Sequence, residues 1–137
     1  MTDMNAALNV AASGLRAQTA RMKVIAENIA NASSTAPNPG ADPYQRKVAT
    51  FGQVLDRETG ASEVRMTGVM KDKSDFRLRY DPTHPGADAN GYVKMPNVNT
   101  LIESMDMREA QRAYEANLNV VESARAMMTR TIDLLRR

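Results

Sequence analysis

The sequence predicts a mainly α fold, with two long terminal helices forming an antiparallel coiled-coil-like pair and a small β-containing segment between them. Three observations carry that expectation. Apolar residues return every seven positions near both ends of the 137-residue chain. The stretch between them is broken by Pro, Gly, Asn and Asp and holds only short alternating runs. Aromatic residues make up only 4% of the chain, with no Trp. Alanine and methionine supply much of the apolar content instead, which suits close helix packing better than a thick core.

The first helix is expected from Asp3 to about Ala32. Leu8, Leu15, Met22 and Ile29 form one row, here a, and Ala11, Gln18, Ile25 and Ala32 form the d row three residues on. Thr2 or Asp3 offers a capping oxygen to the first turn. Gly14 interrupts this helix at a cost of roughly 1 kcal/mol relative to alanine. Its neighbours Ala11, Ala12 and Ser13 are small, so Gly14 marks a point of close approach by another backbone. Asn28 and Asn31 are weak helix-interior residues. Asn31 reads as a stop signal, whereas Asn28 or, on the second helix, Asn117 is expected to bond a backbone or amide group across a helix contact.

That second helix is expected from Thr100 to the end of the chain, uninterrupted by Gly or Pro. Thr100 and Glu103 fit a capping box. Met107, Tyr114, Val121, Met128 and Leu135 form its a row, and Ala110, Asn117, Ala124 and Thr131 its d row. At 1.5 Å rise per residue the two helices are roughly 45 and 55 Å long. Both carry more apolar surface than one seam needs. Val10, Ala17 and Val24 extend the first stripe, and Ala113, Val120, Met127 and Leu134, with Leu118 and Ile132, extend the second. The surplus is expected to be buried by other chains.

Residues 33–43 cannot continue a helix. Short β-like stretches follow at 44–51, 62–70, 76–80 and 91–95; in the third, Phe76, Leu78 and Tyr80 alternate with Arg77 and Arg79, the pattern of a half-buried strand. The expected organisation is therefore residues 1–34 and 99–137 as the two helices of one domain, joined by a connector and β-rich segment over 35–98.

The chemistry-bearing residues do not gather into a catalytic set. The single histidine, His84, sits between Thr83 and Pro85 without a triad or ligand partner in the pattern. Glu103 with Asp106, or Glu109 with Glu115, read as solvated charges on a helix rather than a carboxylate pair for glycan hydrolysis. No cysteine is present, which excludes disulfides and thiol chemistry. A net charge of +2 without a basic run gives no basis for nucleic-acid binding, and no stretch reaches the roughly 20 apolar residues of a membrane span. No enzymatic activity and no cofactor or metal is expected. The start of the sequence lacks the features of a secretory signal, so any export is expected to proceed without a cleaved leader.

The stretch ALNVAASGLRAQTARMKVIAENIANASST resembles the N-terminal signature of bacterial flagellar rod, hook and hook-associated proteins. The shared elements are Ser13-Gly14-Leu15, Ala17-Gln18, Arg21 and Asn28-Ile29-Ala30-Asn31. MREAQRAYEANLNVVESARAMMTRTIDL resembles the closing helix of the same family through Arg112-Ala113-Tyr114-Glu115-Ala116-Asn117. PYQRKVATF and GADANGYVKMPNVN, together with the short chain, are similar to the proximal rod members, with Gln45 and Asn90 departing from their usual residues.

The resemblance implies a structural subunit of the rod, the drive shaft of the flagellar basal body in the periplasm. Such a subunit self-assembles through its terminal helices, transmits torque, lines the export channel and leaves the cell by the flagellar type III apparatus. Its partners would be further copies, other rod proteins, the export apparatus and the hook–basal-body junction protein. Helix pairing and assembly would rest on Leu8, Gly14, Leu15, Met22, Ile25, Asn28 and Ile29, and on Tyr114, Asn117, Leu118, Val121, Met128 and Leu135. The alternatives are another short rod-family subunit and a cytoplasmic coiled-coil adaptor.

Overall fold

The computed structural model describes residues 2–137. In chain order the elements are α1 (Thr2–Ala30), β1 (Lys47–Leu55), β2 (Ser62–Lys71), β3 (Arg77–Tyr80), β4 (Tyr92–Met95) and α2 (Thr100–Leu135). The fold is mainly helical, with two small two-stranded sheets, β1 with β2 and β3 with β4. Two compact units arise. One comprises Met1–Met22, Thr50–Gly68 and Arg108–Arg137, the other Lys23–Ala49 and Val69–Met107.

Both helices form where the heptads predict. The expected cap at Thr2 or Asp3 falls at an end where residue 1 and the Thr2 side chain lie outside the described residues. At the end of α1 the Asn31 backbone N–H makes the ordinary helical bond to the Glu27 carbonyl at 3.1 Å, and its side-chain Nδ2 donates to the same oxygen at 2.8 Å.

The buried stripe of α1 is rotated from the expected a and d seam. Ala11, Ser13, Ala17, Val24, Ile25 and Asn28 are buried, while Leu8, Leu15 and Met22 are half-buried and Ile29 is exposed. Small or polar side chains hold the centre of the stripe, and the larger apolar row lies at its flank. On α2 the most buried positions are Glu103, Ala110 and Ala124, all on the d row.

The capping box expected of Thr100 and Glu103 does not form. Asn99 is the cap, its Oδ1 accepting from the Leu101 N–H at 3.1 Å. The Glu103 carboxylate turns inward to other partners.

The β1–β2 turn rests on Gly60, which at φ 69° donates its N–H to the Asp56 carbonyl at 2.8 Å. The Asp56 carboxylate accepts from Thr59 Oγ1 and the Glu58 N–H, which hold its pKa below the ordinary value. In the antiparallel β3–β4 pair, Leu78 stands opposite Lys94, Arg79 opposite Val93, and Tyr80 opposite Tyr92. Directly opposed residues share a sheet face. Val93 is buried, so its face looks inward with Arg77 and Arg79 flanking it, and Arg77 donates to the Val98 carbonyl at 2.9 Å. The alternation read in β3 therefore has the opposite sense. Leu78 and Tyr80 point outward, 63% and 66% exposed. Arg77 and Arg79 are exposed as well, so the whole of β3 lies at the surface, with the Arg79 head 3.7 Å from Asp81. Tyr80 and Tyr92 pack edge to face, 5.4 Å between centroids.

Candidate functional site

Within the unit built of residues 23–49 and 69–107, Asn28 is only 1% exposed and uses all of its hydrogen-bonding capacity. Its Nδ2 donates to the Lys47 carbonyl at 2.8 Å and to Glu103 Oε2 at 3.2 Å. Its Oδ1 accepts from the Lys47 N–H at 2.9 Å and the Tyr44 hydroxyl at 2.8 Å. The amide thus pairs with both backbone groups of Lys47 as a neighbouring strand would, closing the first outward position of β1. The expected bond from Asn28 exists, but its partners are a strand backbone, a phenol and a carboxylate.

Glu103 continues the network. Its other oxygen accepts from Arg46 Nε, and Arg46 also reaches Asp72 at 3.2 Å and Asp106 at 3.8 Å. Burial opposes the Arg46 charge, but the bond to Glu103 and the charges of Glu103 and Asp72 outweigh it and hold the guanidinium above its ordinary pKa. Ser74, through its backbone N–H and then its side chain, and also Arg46, depress the Asp72 pKa. Burial, then the charges of Glu27 and Glu103, push the Tyr44 phenol up, so it remains a donor. Asn97 completes the junction, accepting the Arg46 N–H at 2.7 Å and donating to the Asp72 carbonyl at 3.0 Å. One cation among three carboxylates, with both Glu103 oxygens occupied, has the form of a mechanical tie between chain segments. Asp106 belongs to the same tie.

His84 is a structural loop residue. Its Nδ1 accepts from the Gly86 N–H at 2.9 Å, which leaves the proton on Nε2 to meet Thr35 Oγ1 at 2.9 Å.

In the other unit, α1 approaches α2 closely at Gly14. A methyl group there would lie 2.8–2.9 Å from the Asn117 side-chain amide. The close approach expected at Gly14 is thus made, by a side chain of α2 rather than a backbone. Asn117 donates to its own helix at the Ala113 carbonyl, 3.0 Å away. Arg21 faces Glu109 at 3.6 Å, so α1 and α2 run in opposite directions along this contact. Ser13 is buried, donates to the Val10 carbonyl at 2.7 Å, and accepts the Val64 N–H at 3.2 Å, which ties α1 to β2.

The other residues expected to mediate pairing and assembly are spread around the helices. Ile25 is buried; Leu8, Leu15, Met22, Tyr114, Val121 and Met128 are half-buried; Ile29, Leu118 and Leu135 are exposed. Val120, Met127 and Leu134 are exposed along one row of α2, Leu134 to 72%. Sequence reasoning assigned no physical role to Tyr44, Arg46 or Asn97, and read Ser13 only as a small neighbour of Gly14. The signal was the stretch Pro43-Tyr44-Gln45-Arg46-Lys47 that carried the family likeness, whose partners lie far away in sequence.

Residues 8–36 match the family model described as flagella basal body rod protein, and residues 89–134 match the flagellar basal body rod FlgEFG protein C-terminal model. The chain is 52% identical to the flagellar basal-body rod protein FlgC of Agrobacterium fabrum over 99% of its own length and 98% of the relative's. It is 40% identical to the FlgC of Borreliella burgdorferi, with 93% and 95% covered. It is 37% identical to that of Salmonella typhimurium, with 92% and 93% covered.

Proposed function

Because the chain belongs to the FlgC family of flagellar basal-body rod proteins, and so is a structural subunit of the flagellar rod, we propose that it assembles through the faces its helices leave uncovered. The in-chain contacts use Gly14, Asn117 and buried alanines, whereas Val120, Met127, Ile132, Leu134 and Leu135 are exposed. That division of small from large apolar side chains is the observation that carries the reading. The chain exposes 9463 Å², against roughly 7,100 Å² for an ordinary folded monomer of its mass. Burying the surplus against neighbours supplies the driving force.

In this reading residues 1–34 and 99–137 form an inner-tube domain of coiled-coil-like helix pairs that lines the export channel, with 35–98 outside it. The polar junction around Asn28 and Arg46 holds those layers together, so that torque is carried by many parallel contacts. Neighbours are further copies, other rod proteins and the hook–basal-body junction protein, and the site of action is the proximal rod in the periplasm. The subunit arrives through the flagellar export apparatus without cleavage. Its terminal stretches complete their ordering as their faces are buried.

The experiment is to recover basal bodies from cells producing the chain and to sediment the purified chain over a range of concentrations. The expected result is the chain in the rod fraction and reversible, concentration-dependent association in solution. A stable helical monomer that never associates and stays out of basal bodies overturns the proposal.

A further inference from the structure

We propose that the solvent-facing side of α1 is the docking surface for α2 of a second copy of this chain, an inference that rests on the rod-subunit reading and gives its helix contacts a specific pairing. On α1, half-buried Leu15 and Met22 lie outside the contact made by Gly14. Beyond them on the solvent side stand Arg16 and Lys23, exposed and seven residues apart, with Thr19 between. On α2, exposed Leu118 lies between Glu115 and Glu122, also exposed and seven residues apart. Among the described residues none of these four charges enters an ion pair.

Two basic positions beside Leu15 and Met22, and two acidic positions beside Leu118, each pair at one heptad spacing, are complementary in the way coiled-coil partners use to choose register and orientation. The partner cannot be the same chain's helix, because the in-chain contact already engages Gly14 with Asn117 and Arg21 with Glu109.

The helices run antiparallel within the chain, so copies aligned in one direction place α1 antiparallel to the next copy's α2. Arg16 then meets Glu122, and Lys23 meets Glu115. That register lies one heptad from the in-chain register, an axial step of about 10 Å between copies. Each copy offers a different surface to each neighbour, so the contact propagates as an open array instead of closing a dimer.

The chain has no cysteine, which makes the test direct. Full-length Thr19→Cys and Leu118→Cys variants are produced together in cells lacking the wild-type chain, and purified basal bodies are oxidised. A disulfide-linked dimer is expected only when both variants are present. Arg16→Glu with Lys23→Glu is expected to lower its yield about tenfold, and adding Glu115→Lys with Glu122→Lys to restore it. That rescue separates a lost contact from a misfolded chain. Both variants present in basal bodies without the mixed dimer, an equal dimer from Thr19→Cys alone, or indifference to charge reversal overturns the pairing while leaving the rod-subunit reading intact. Absence of the wild-type chain from basal bodies overturns both.

Discussion

Replacing Asn28 by alanine should be among the most damaging single changes in the chain, and its size follows from the four bonds the amide makes. Three of them, to the Lys47 N–H, the Lys47 carbonyl and the Tyr44 hydroxyl, are part-buried, so water can partly replace the lost partner. Each is worth about 1 kcal/mol. The fourth, to Glu103 Oε2, is buried and involves a carboxylate that is only 1% exposed, for which about 1–3 kcal/mol is appropriate. Because the bonds share one side chain they are not independent, and a total of about 4 kcal/mol is expected. Asn28→Asp should cost at least as much, since it keeps the shape but turns two donors into acceptors facing the Lys47 carbonyl and Glu103. Urea unfolding followed by circular dichroism at 222 nm is the assay. With a slope of about 2 kcal/mol/M the midpoint should fall by about 2 M. Asn31→Ala, which removes a part-buried bond to the Glu27 carbonyl and an exposed one from Ser34 Oγ at the helix end, serves as the control and should cost about 1–2 kcal/mol. An Asn28→Ala chain within about 0.5 kcal/mol of the wild type, or no worse than Asn31→Ala, would refute the view that this amide ties the strand to the helices.

Gly14→Ala gains about 1 kcal/mol of helix propensity but sets a methyl group 2.8–2.9 Å from Asn117. The net effect should be a loss of about 1 kcal/mol that reverses when Asn117→Ala is added, and a double-mutant cycle on unfolding midpoints reads the coupling. Arg46→Met leaves Glu103 buried and unpaired, so it should cost about 3–5 kcal/mol in the same assay, and Glu103→Gln on top of it should recover part of that loss. The Asp72 pKa is depressed on folding, so its contribution is present above the ordinary value of 3.8 and lost as pH falls through the depressed one; Asp72→Asn should flatten the acid limb of a stability–pH profile. The Tyr44 pKa is raised, so its contribution holds below the ordinary value of 10.0 and is lost as pH rises through the folded one, and Tyr44→Phe should flatten the alkaline limb.

The sequence by itself determined the two helices, the four strands and the family. Heptad repeats, turn residues and period-two runs are local patterns, and helix and strand formation respond to local patterns. It also marked Gly14 as a point of close approach and Asn31 as a stop, since a missing side chain and a competing amide act on their immediate surroundings. Only the tertiary structure decided which face of each element is buried. Both helices carry apolar stripes wider than one contact, so periodicity alone could not choose between the Leu8–Leu15–Met22 row and the smaller side chains that hold the centre. In β3 the alternation was visible but not its sense, which depends on Val93 across the strand pair. Glu103 shows the same limit. Thr100 three residues before it suggested a cap, while Arg46 and Asn28, 57 and 75 residues away in sequence, claim its carboxylate instead. A buried charge is governed by whichever opposite charge the fold brings to it, and no local spacing encodes that meeting.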